Sequence, residues 1–253
     1  MRIEDVEELL FRSSQRGVHA PEELVGKLSM EEGYLVQMGL LRRHEEAGDL
    51  QVGWKVGLTA KAIQAQLNYH EPVFGYLLRS GHHSSGTVFD FPTLINPGFE
   101  NEICISIGKK LAGPGVTFEQ ARDCISHVAP ALEIVERRSG IPMDFPLVMA
   151  DNGQQKGFVT GAAVPLQDLN LAEVSVEVFV NGLSMERASG AAVLGNPVAS
   201  VAWLANKLVK FGRHLEPGEL IMSGSFTKQY AINSGEEVEA RFHPVGTVTA
   251  NFS

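Results

Sequence analysis

One stretch of this 253-residue chain decides its fold: Asn96-Pro97-Gly98-Phe99-Glu100-Asn101-Glu102-Ile103-Cys104-Ile105-Ser106-Ile107. On a β-strand, residues two positions apart point to the same face of the sheet. Glu100 and Glu102 would therefore lie side by side on one face, while the isoleucines that follow them occupy the other. The pattern predicts a buried strand that carries two neighbouring carboxylates.

Two carboxylates this close repel each other unless a cation lies between them. A hard divalent cation such as Mg²⁺ or Mn²⁺ prefers oxygen ligands and leaves positions open for a substrate. Glu100 and Glu102 are therefore candidate metal ligands. The alternative is an ordinary solvated strand face that bears two glutamates and no ion.

A third acidic residue, Glu133, interrupts the apolar run Ala129-Pro130-Ala131-Leu132-Glu133-Ile134-Val135. A charge in such a run is costly to bury unless it is paired or bound to a metal. Glu133 is therefore the candidate third ligand. Glu136, which begins a polar stretch, is predicted to lie on the surface.

Lys55 lies in the otherwise apolar, glycine-flanked string Gly53-Trp54-Lys55-Val56-Gly57. Burial of a lysine lowers its pKa unless a carboxylate pairs with it, and such a lysine can transfer a proton or bind a substrate carboxylate. The alternative is a strand-end lysine whose ammonium group reaches water.

Acidic residues outnumber basic ones by 30 to 21, which gives a formal net charge of −9. This balance argues against sequence-independent binding to nucleic acid or to an anionic membrane, because both require a positive surface. We find neither an apolar run long enough to span a bilayer nor a secretory signal pattern. The two cysteines are too few for a disulfide scaffold. We expect a cytoplasmic enzyme.

The hydrophobic pattern predicts an α+β fold. Apolar residues recur at helical spacing within residues 1–50, where Pro21-Glu22-Glu23 fits a helix opening. Short apolar runs dominate from residue 51 onward, and helical spacing returns at residues 198–211. Strict alternation on both sides of His243-Pro244-Val245-Gly246 predicts a terminal β-hairpin.

Eight short strings, in order from about residue 50 to the end, carry a resemblance to a known family. They are Trp54-Lys-Val-Gly-Leu-Thr59, Glu100-x-Glu102, Leu111-Ala-Gly-Pro-Gly115, Pro130-Ala-Leu-Glu133, Ala150-Asp-Asn152, Ala192-Val-Leu-Gly-Asn-Pro197, Ser200-Val-Ala-Trp-Leu-Ala-Asn-Lys-Leu208 and Ser223-Gly-Ser-Phe-Thr227. Together they resemble the hydratase/decarboxylase branch of the fumarylacetoacetate-hydrolase-like superfamily. Its members include 2-oxopent-4-enoate hydratase, 2-oxohept-4-ene-1,7-dioate hydratase and 4-oxalocrotonate decarboxylase.

The resemblance implies a mixed β-roll/β-sandwich catalytic domain over residues 51–253, preceded by a helical N-terminal segment over residues 1–50. It implies a substrate that is a small anionic 2-oxo or 2-hydroxydienoic acid from the catabolism of aromatic compounds. Homo-oligomers are usual in the family, and a complex with a related hydratase or decarboxylase is a further expectation.

The resemblance also assigns residues to the site. One divalent cation, Mg²⁺ or Mn²⁺, would be held by Glu100, Glu102 and Glu133, with Lys55 as the catalytic residue beside the substrate. The implied substrate-binding residues are Asp151, Asn152, Ser225 and Thr227. For all four, a structural turn is the alternative role.

The sequence departs from the family pattern at several positions. Hydratases of this group tend to carry an aspartate where this chain has Val73, and the related decarboxylases have an aliphatic residue there. Ser223-Gly-Ser-Phe-Thr227, in contrast, looks more like the diacid hydratases. We therefore expect a hydratase, with decarboxylation as a close alternative. Gln154-Gln155-Lys156 replaces small or hydroxyl residues, and His127 is predicted to be a packed histidine rather than a proton carrier.

Two further classes remain as alternatives. A carbon–carbon bond hydrolase of the same superfamily would need a His/Glu pair that activates water, and His44-Glu45-Glu46 is the nearby string with those residue types. A non-catalytic binding protein with the same fold would have no reason to keep three like charges together.

Overall fold

The computed structural model describes residues 1–138 and 144–253 of the chain. The first fifty residues form helices α1 (Ile3–Arg16) and α2 (Met30–Glu46), which pack against each other. The predicted helical start is confirmed. The division into two domains at residue 50 stays a prediction. Val6 and Leu10 of α1 belong to the same core cluster as the strands that follow.

The helix opening predicted at Pro21-Glu22-Glu23 starts a 3-10 helix rather than an α-helix. Glu22–Leu24 forms a single 3-10 turn, and α2 begins later, at a capping box. In this box the Ser29 hydroxyl accepts a hydrogen bond from the Glu32 N–H, and the Glu32 carboxylate accepts one from the Ser29 N–H. The capping box satisfies backbone donors that proline and acidic residues alone leave unpaired.

The rest of the described chain is made of short strands and helices. The helices are α3 (Lys61–Gln66), α4 (Phe118–Cys124), α5 (Phe145–Ala150) and α6 (Pro197–Leu208). The strands are β1 (Gln51–Gly57), β2 (Val73–Leu78), β3 (His82–Ser84), β4 (Thr87–Phe89), β5 (Pro97–Ile107), β6 (Ile125–Glu136), β7 (Gln155–Thr160), β8 (Val164–Pro165), β9 (Ser175–Val180), β10 (Leu183–Ser189), β11 (Leu220–Met222), β12 (Tyr230–Ala231), β13 (Glu236–His243) and β14 (Gly246–Phe252). None of the helices within the described ranges is long and apolar enough to cross a bilayer.

These strands form two sheets. The larger sheet has the order β2-β1-β11-β5-β6-β7-β3, with β12 and β8 added beside β5 and β6. It is mixed, because β11 runs parallel to β1 but antiparallel to β5. The smaller sheet has the order β10-β9-β13-β14-β4, and β13 and β14 form the predicted terminal hairpin. The predicted α+β fold with mixed sheets is confirmed.

The two faces of the larger sheet differ in chemistry. The core face carries large apolar side chains such as Trp54, Phe74 and Ile103, which are almost fully buried in the main core. The opposite face, called the site face below, carries Lys55 of β1 and the glutamates of β5 and β6. The alternation predicted for β5 therefore places its isoleucines in the core and its carboxylates on the site face.

Phe74 joins three parts of the core, and its replacement tests that packing. Its ring lies 4.7 Å from the ring of Tyr34, 5.7 Å from that of Trp54 and 5.3 Å from that of Phe211. We expect Phe74→Ala to lower the free energy of unfolding in urea by about 3–5 kcal/mol, because a buried aromatic side chain leaves a cavity. Phe118→Ala, at a side chain 37% exposed, should cost less than about 1 kcal/mol. Equal losses in both variants would contradict this view of the core.

Candidate metal centre and active site

Strand pairing brings three carboxylates together on the site face. Glu100 and Glu102 lie two residues apart on β5, and Glu133 of β6 lies directly opposite Glu100 in the antiparallel register. One carboxylate oxygen of each residue lies within 4.8 Å of the others. The candidate ligands identified from two separate stretches of sequence thus meet at one point.

These carboxylates have few partners for their charge. Glu102 and Glu133 are fully buried, and Glu100 is half-buried. The Gly224 N–H donates to Glu102 Oε2 over 2.8 Å, but Glu102 Oε1 and Glu133 Oε1 receive no hydrogen bond from the described residues. Buried polar atoms are rarely left in this state. A set of carboxylate oxygens, two of them without hydrogen bonds from the described part of the chain, fits the ligand preference of a divalent cation such as Mg²⁺.

Burial and mutual repulsion shift the acidity of the cluster. Burial, followed by the charge of Glu133, raises the pKa of Glu100 to about 7. Burial and the charges of both neighbours raise the pKa of Glu102 well above its ordinary value. Burial also raises the pKa of Glu133, although Lys55 opposes the shift. A bound cation would remove the repulsion that makes three charged carboxylates costly here.

Lys55 is the cation that the chain itself brings to the cluster. Its Nζ lies 3.4 Å from Glu133 Oε1 and donates a hydrogen bond to the Gly153 carbonyl, also over 3.4 Å. The residue is 6% exposed. Burial lowers the pKa of Lys55, but the nearby carboxylates outweigh burial, so its pKa is raised. Of the two possibilities weighed from sequence, a buried lysine and a strand-end lysine whose ammonium group reaches water, the structure has the buried one, paired with Glu133.

Asp151 and Asn152 directly precede Gly153, whose carbonyl binds Lys55, but protein groups occupy their side chains. Asp151 accepts two hydrogen bonds from the Arg138 guanidinium, at 2.8 and 3.1 Å. The Asn152 amide accepts from the Tyr76 N–H at 2.8 Å and donates to the Tyr76 carbonyl at 3.0 Å. Substrate binding by Asp151 and Asn152 stays a prediction, and the role of Arg138 was missed because it depends on contacts between distant segments.

Ser225 and Thr227 lie in the loop that follows β11 and runs beside β5. The Ser225 hydroxyl donates to the Asn101 carbonyl at 3.4 Å, and the Thr227 hydroxyl accepts from the Asn101 amide at 2.5 Å. Both hydroxyl residues are half-buried, whereas Asn101 is fully buried and its Oδ1 has no partner within the described chain. The loop therefore places hydroxyl groups next to the glutamate strand, and their contact with a substrate stays a prediction.

Several other predictions are corrected by the structure. Glu136 is 2% exposed rather than on the surface, because Arg138 and the Ile95 N–H bind its carboxylate. His127 is exposed rather than packed, and it lies six residues from Glu133 along β6, roughly 20 Å at the rise of a strand. Lys156 lies 3.7 Å from the Glu136 carboxylate.

His44, the histidine that a carbon–carbon hydrolase would need, lies away from the carboxylates. Its ring lies 5.2 Å from that of Phe11 and 6.0 Å from that of Tyr76, on the core face. A cavity of about 590 Å³ opens beside it, and Glu136 and Arg138 line the same cavity. Within the described residues, His44 makes no contact with the carboxylate cluster.

The family model described as Fumarylacetoacetate (FAA) hydrolase C-terminal matches residues 44–253. The chain belongs to the fumarylacetoacetate hydrolase family. The family resemblance and the fold type predicted from the sequence strings are therefore confirmed. The match begins inside α2 and includes every candidate site residue named above.

Similar proteins of the family are enzymes of two kinds. 4-oxalocrotonate decarboxylase of Pseudomonas putida is 34% identical over 228 residues, which cover 89% of this chain and 86% of that protein. 2-hydroxyhexa-2,4-dienoate hydratase of Comamonas testosteroni is 33% identical over 231 residues, which cover 90% and 88%. A solved 4-oxalocrotonate decarboxylase from Pseudomonas putida G7, complexed with magnesium and adipate, matches with a TM-score of 0.94 at 32% identity and covers 100% of this chain and 99% of that one. The prediction that the chain is an enzyme is confirmed.

The carboxylate cluster can be tested by its response to Mg²⁺. We expect Mg²⁺ to raise the melting temperature of the wild-type protein, because the cation relieves repulsion among buried charges. Glu102→Gln should weaken Mg²⁺ binding by at least about tenfold in calorimetry, since even an outer partner of a metal ligand is worth that much. The metal-free variant should melt no lower than the metal-free wild type, because one of three like charges is gone.

Glu237→Gln is the matched control, since that glutamate is exposed on β13. It should bind Mg²⁺ as the wild type does. Wild-type affinity in the Glu102→Gln variant would exclude Glu102 as a ligand.

Proposed function

We propose that this enzyme is a divalent-metal-dependent lyase that acts on a short 2-hydroxydienoate or 2-oxo-enoate, with hydration as its first candidate reaction. The observation that carries the proposal is the cluster of three carboxylates with Lys55 at its edge. The cluster offers oxygen ligands on one side, and the lysine offers a proton within reach of the same point.

Each residue of the cluster has a separate task in this proposal. Glu100, Glu102 and Glu133 would hold Mg²⁺ or Mn²⁺. When bound, the cation supplies Lewis-acid stabilisation of the negative charge that develops on the substrate's C2 oxygen. Lys55 would deliver or remove the proton when the enol form becomes the keto form, and its buried position keeps water from competing for that proton.

Local charge explains how an acidic protein accepts an anionic substrate. The chain carries a formal net charge of −9, which repels an acid at long range. At the site, a divalent cation and Lys55 would together balance the charges of the three glutamates, and the open positions of the cation would accept the oxygens of the acid. The substrate class therefore agrees with the overall charge.

Hydration is supported by the loop that follows β11. The half-buried Ser225 hydroxyl, which bonds the Asn101 carbonyl of β5, can help to hold a water molecule beside the glutamate strand. The similar 2-hydroxyhexa-2,4-dienoate hydratase carries out its reaction within the same family.

Decarboxylation is the second candidate because of Val73. This side chain is 3% exposed. In the antiparallel pair of β1 and β2, Lys55 lies opposite Gly75, and Gly57, two residues further along β1, lies opposite Val73. Val73 therefore lies on the site face beside the lysine. An apolar group there supplies no second acid to add water, whereas loss of CO₂ needs no such group. The similar 4-oxalocrotonate decarboxylase supports this candidate.

Two further properties belong to the same proposal. We infer that the enzyme works in the cytoplasm, which agrees with its two buried, unpaired cysteines. We also infer that it forms a homo-oligomer, alone or in complex with a related hydratase or decarboxylase, as the family resemblance implies.

Product analysis tests the proposed reaction. Purified protein with Mg²⁺ should convert 2-hydroxypenta-2,4-dienoate to its water adduct, and mass spectrometry identifies the product. With 2-hydroxymuconate, the water adduct supports hydration, and CO₂ release without a water adduct supports decarboxylation instead. No turnover of either compound, with or without Mn²⁺, would contradict the proposed function.

Val73→Asp tests the basis for choosing between the two reactions. A carboxyl group at this position would lie on the face that carries Lys55 and would offer a second proton donor. We expect the ratio of water adduct to CO₂ to rise by about tenfold or more, in the range of general acid catalysis. Val73→Leu, which keeps an apolar group, should leave the ratio unchanged. An unchanged ratio in Val73→Asp would remove Val73 as the discriminating residue.

A further inference from the structure

Three consecutive residues beside Lys55 adopt a left-handed backbone. The φ angles are 54° for Asn152, 60° for Gly153 and 62° for Gln154. Residues with a Cβ avoid this region, so it normally occurs at single positions rather than in a run. A left-handed turn of this kind persists only where the surrounding structure holds it in place.

Two sets of hydrogen bonds hold this left-handed turn. Before it, Asp151 accepts both arms of the Arg138 fork, from Nε at 2.8 Å and Nη2 at 3.1 Å. At its start, the Asn152 side chain bonds both the N–H and the carbonyl of Tyr76 in β2. Arg138 and Asp151 are 8% and 5% exposed, so water weakens their ion pair little.

The middle residue of the left-handed turn, Gly153, contacts Lys55. The Gly153 carbonyl accepts the hydrogen bond from Lys55 Nζ, at 3.4 Å. A Cβ at position 153 would lie 2.9 Å from Lys55 Cε, so the backbone of the turn touches the lysine side chain directly. The position of the turn therefore decides where the ammonium group can lie relative to Glu133.

We propose that Arg138 is a positioning residue for Lys55: its fork on Asp151 sets the left-handed turn, and the turn holds the lysine amine at the carboxylate cluster. Arg138 bonds Asp151 and Glu136 on the core face, beside the cavity of about 590 Å³, while the amine it positions lies on the site face. A lysine cannot replace it, because only a guanidinium binds both oxygens of a carboxylate in a fixed plane.

A double-mutant cycle tests the proposal, which rests on the proposed function only in its activity measurement. Arg138→Lys keeps the charge between Glu136 and Asp151 but removes the fork. We expect its kcat to fall about 10- to 100-fold, with KM and Mg²⁺ affinity nearly unchanged, as for a small misplacement of a catalytic group. In the Lys55→Met background, Arg138→Lys should cause no further loss, because both changes act through the same amine.

A second measurement does not depend on turnover. Mass spectrometry after brief treatment with an acetylating reagent reports how freely the Lys55 amine moves. Arg138→Lys should raise the modification of Lys55 several-fold, whereas Arg187→Lys, at an exposed pair with Glu177, should leave it unchanged. If the wild type turns over none of the tested substrates, the proposed function fails and the labelling still decides the role of Arg138.

Asp151→Glu changes the other side of the ion pair and serves as the second variant if Arg138→Lys does not fold. It should give the same loss of kcat, the same cycle and the same increase in labelling. Additive losses in the cycle, or unchanged labelling in a folded variant, would overturn the proposal. So would unfolding of both variants, because the ion pair would then serve the fold rather than the lysine.

Discussion

Repulsion among three closely spaced carboxylates, two of them buried, is the constraint on which the rest of this structure depends. Glu102 and Glu133 are almost inaccessible to solvent, and each has an oxygen without a hydrogen bond from the described residues. Charges in a medium of low dielectric interact strongly, and the lysine alone brings one positive charge to three potential negative ones. A divalent cation at this cluster would offset the repulsion, which is why the candidate metal site and the fold have to be considered together.

The sheet supports the cluster by packing apolar side chains on both faces, in the main core and, beside the carboxylates, in a smaller cluster that includes Cys104, Phe158 and Met222. The core face buries side chains such as Trp54 and Phe74, and this apolar packing stabilises strands whose other face carries costly charges. A second charged group, Arg138 with Asp151 and Glu136, lies at the margin of the core face. Asp151 of this group directly precedes the turn whose Gly153 carbonyl binds Lys55, so backbone rather than a shared side chain connects the two charged groups.

The candidate ligands were predictable from the sequence because each signal is local. A spacing of two on a strand places Glu100 and Glu102 together, and a lone acid in an apolar run marks Glu133. The contacts of Arg138 and the burial of Glu136 were not predictable, because they depend on how the end of β6 meets a turn that follows α5. The prediction that His127 is packed is wrong for a related reason, since the exposure of His127 depends on which segment covers that end of β6.

Anomalous diffraction from crystals grown with Mn²⁺ is the most direct test of the central claim. A single peak at about 2.0–2.2 Å from carboxylate oxygens of Glu100, Glu102 and Glu133, the range for a small divalent ion with oxygen ligands, is the predicted result. The account would be contradicted if the protein turns over its substrate with Mn²⁺ but the crystals show no Mn²⁺ at these three residues. It would also be contradicted if the Mn²⁺ peak lies elsewhere in the chain.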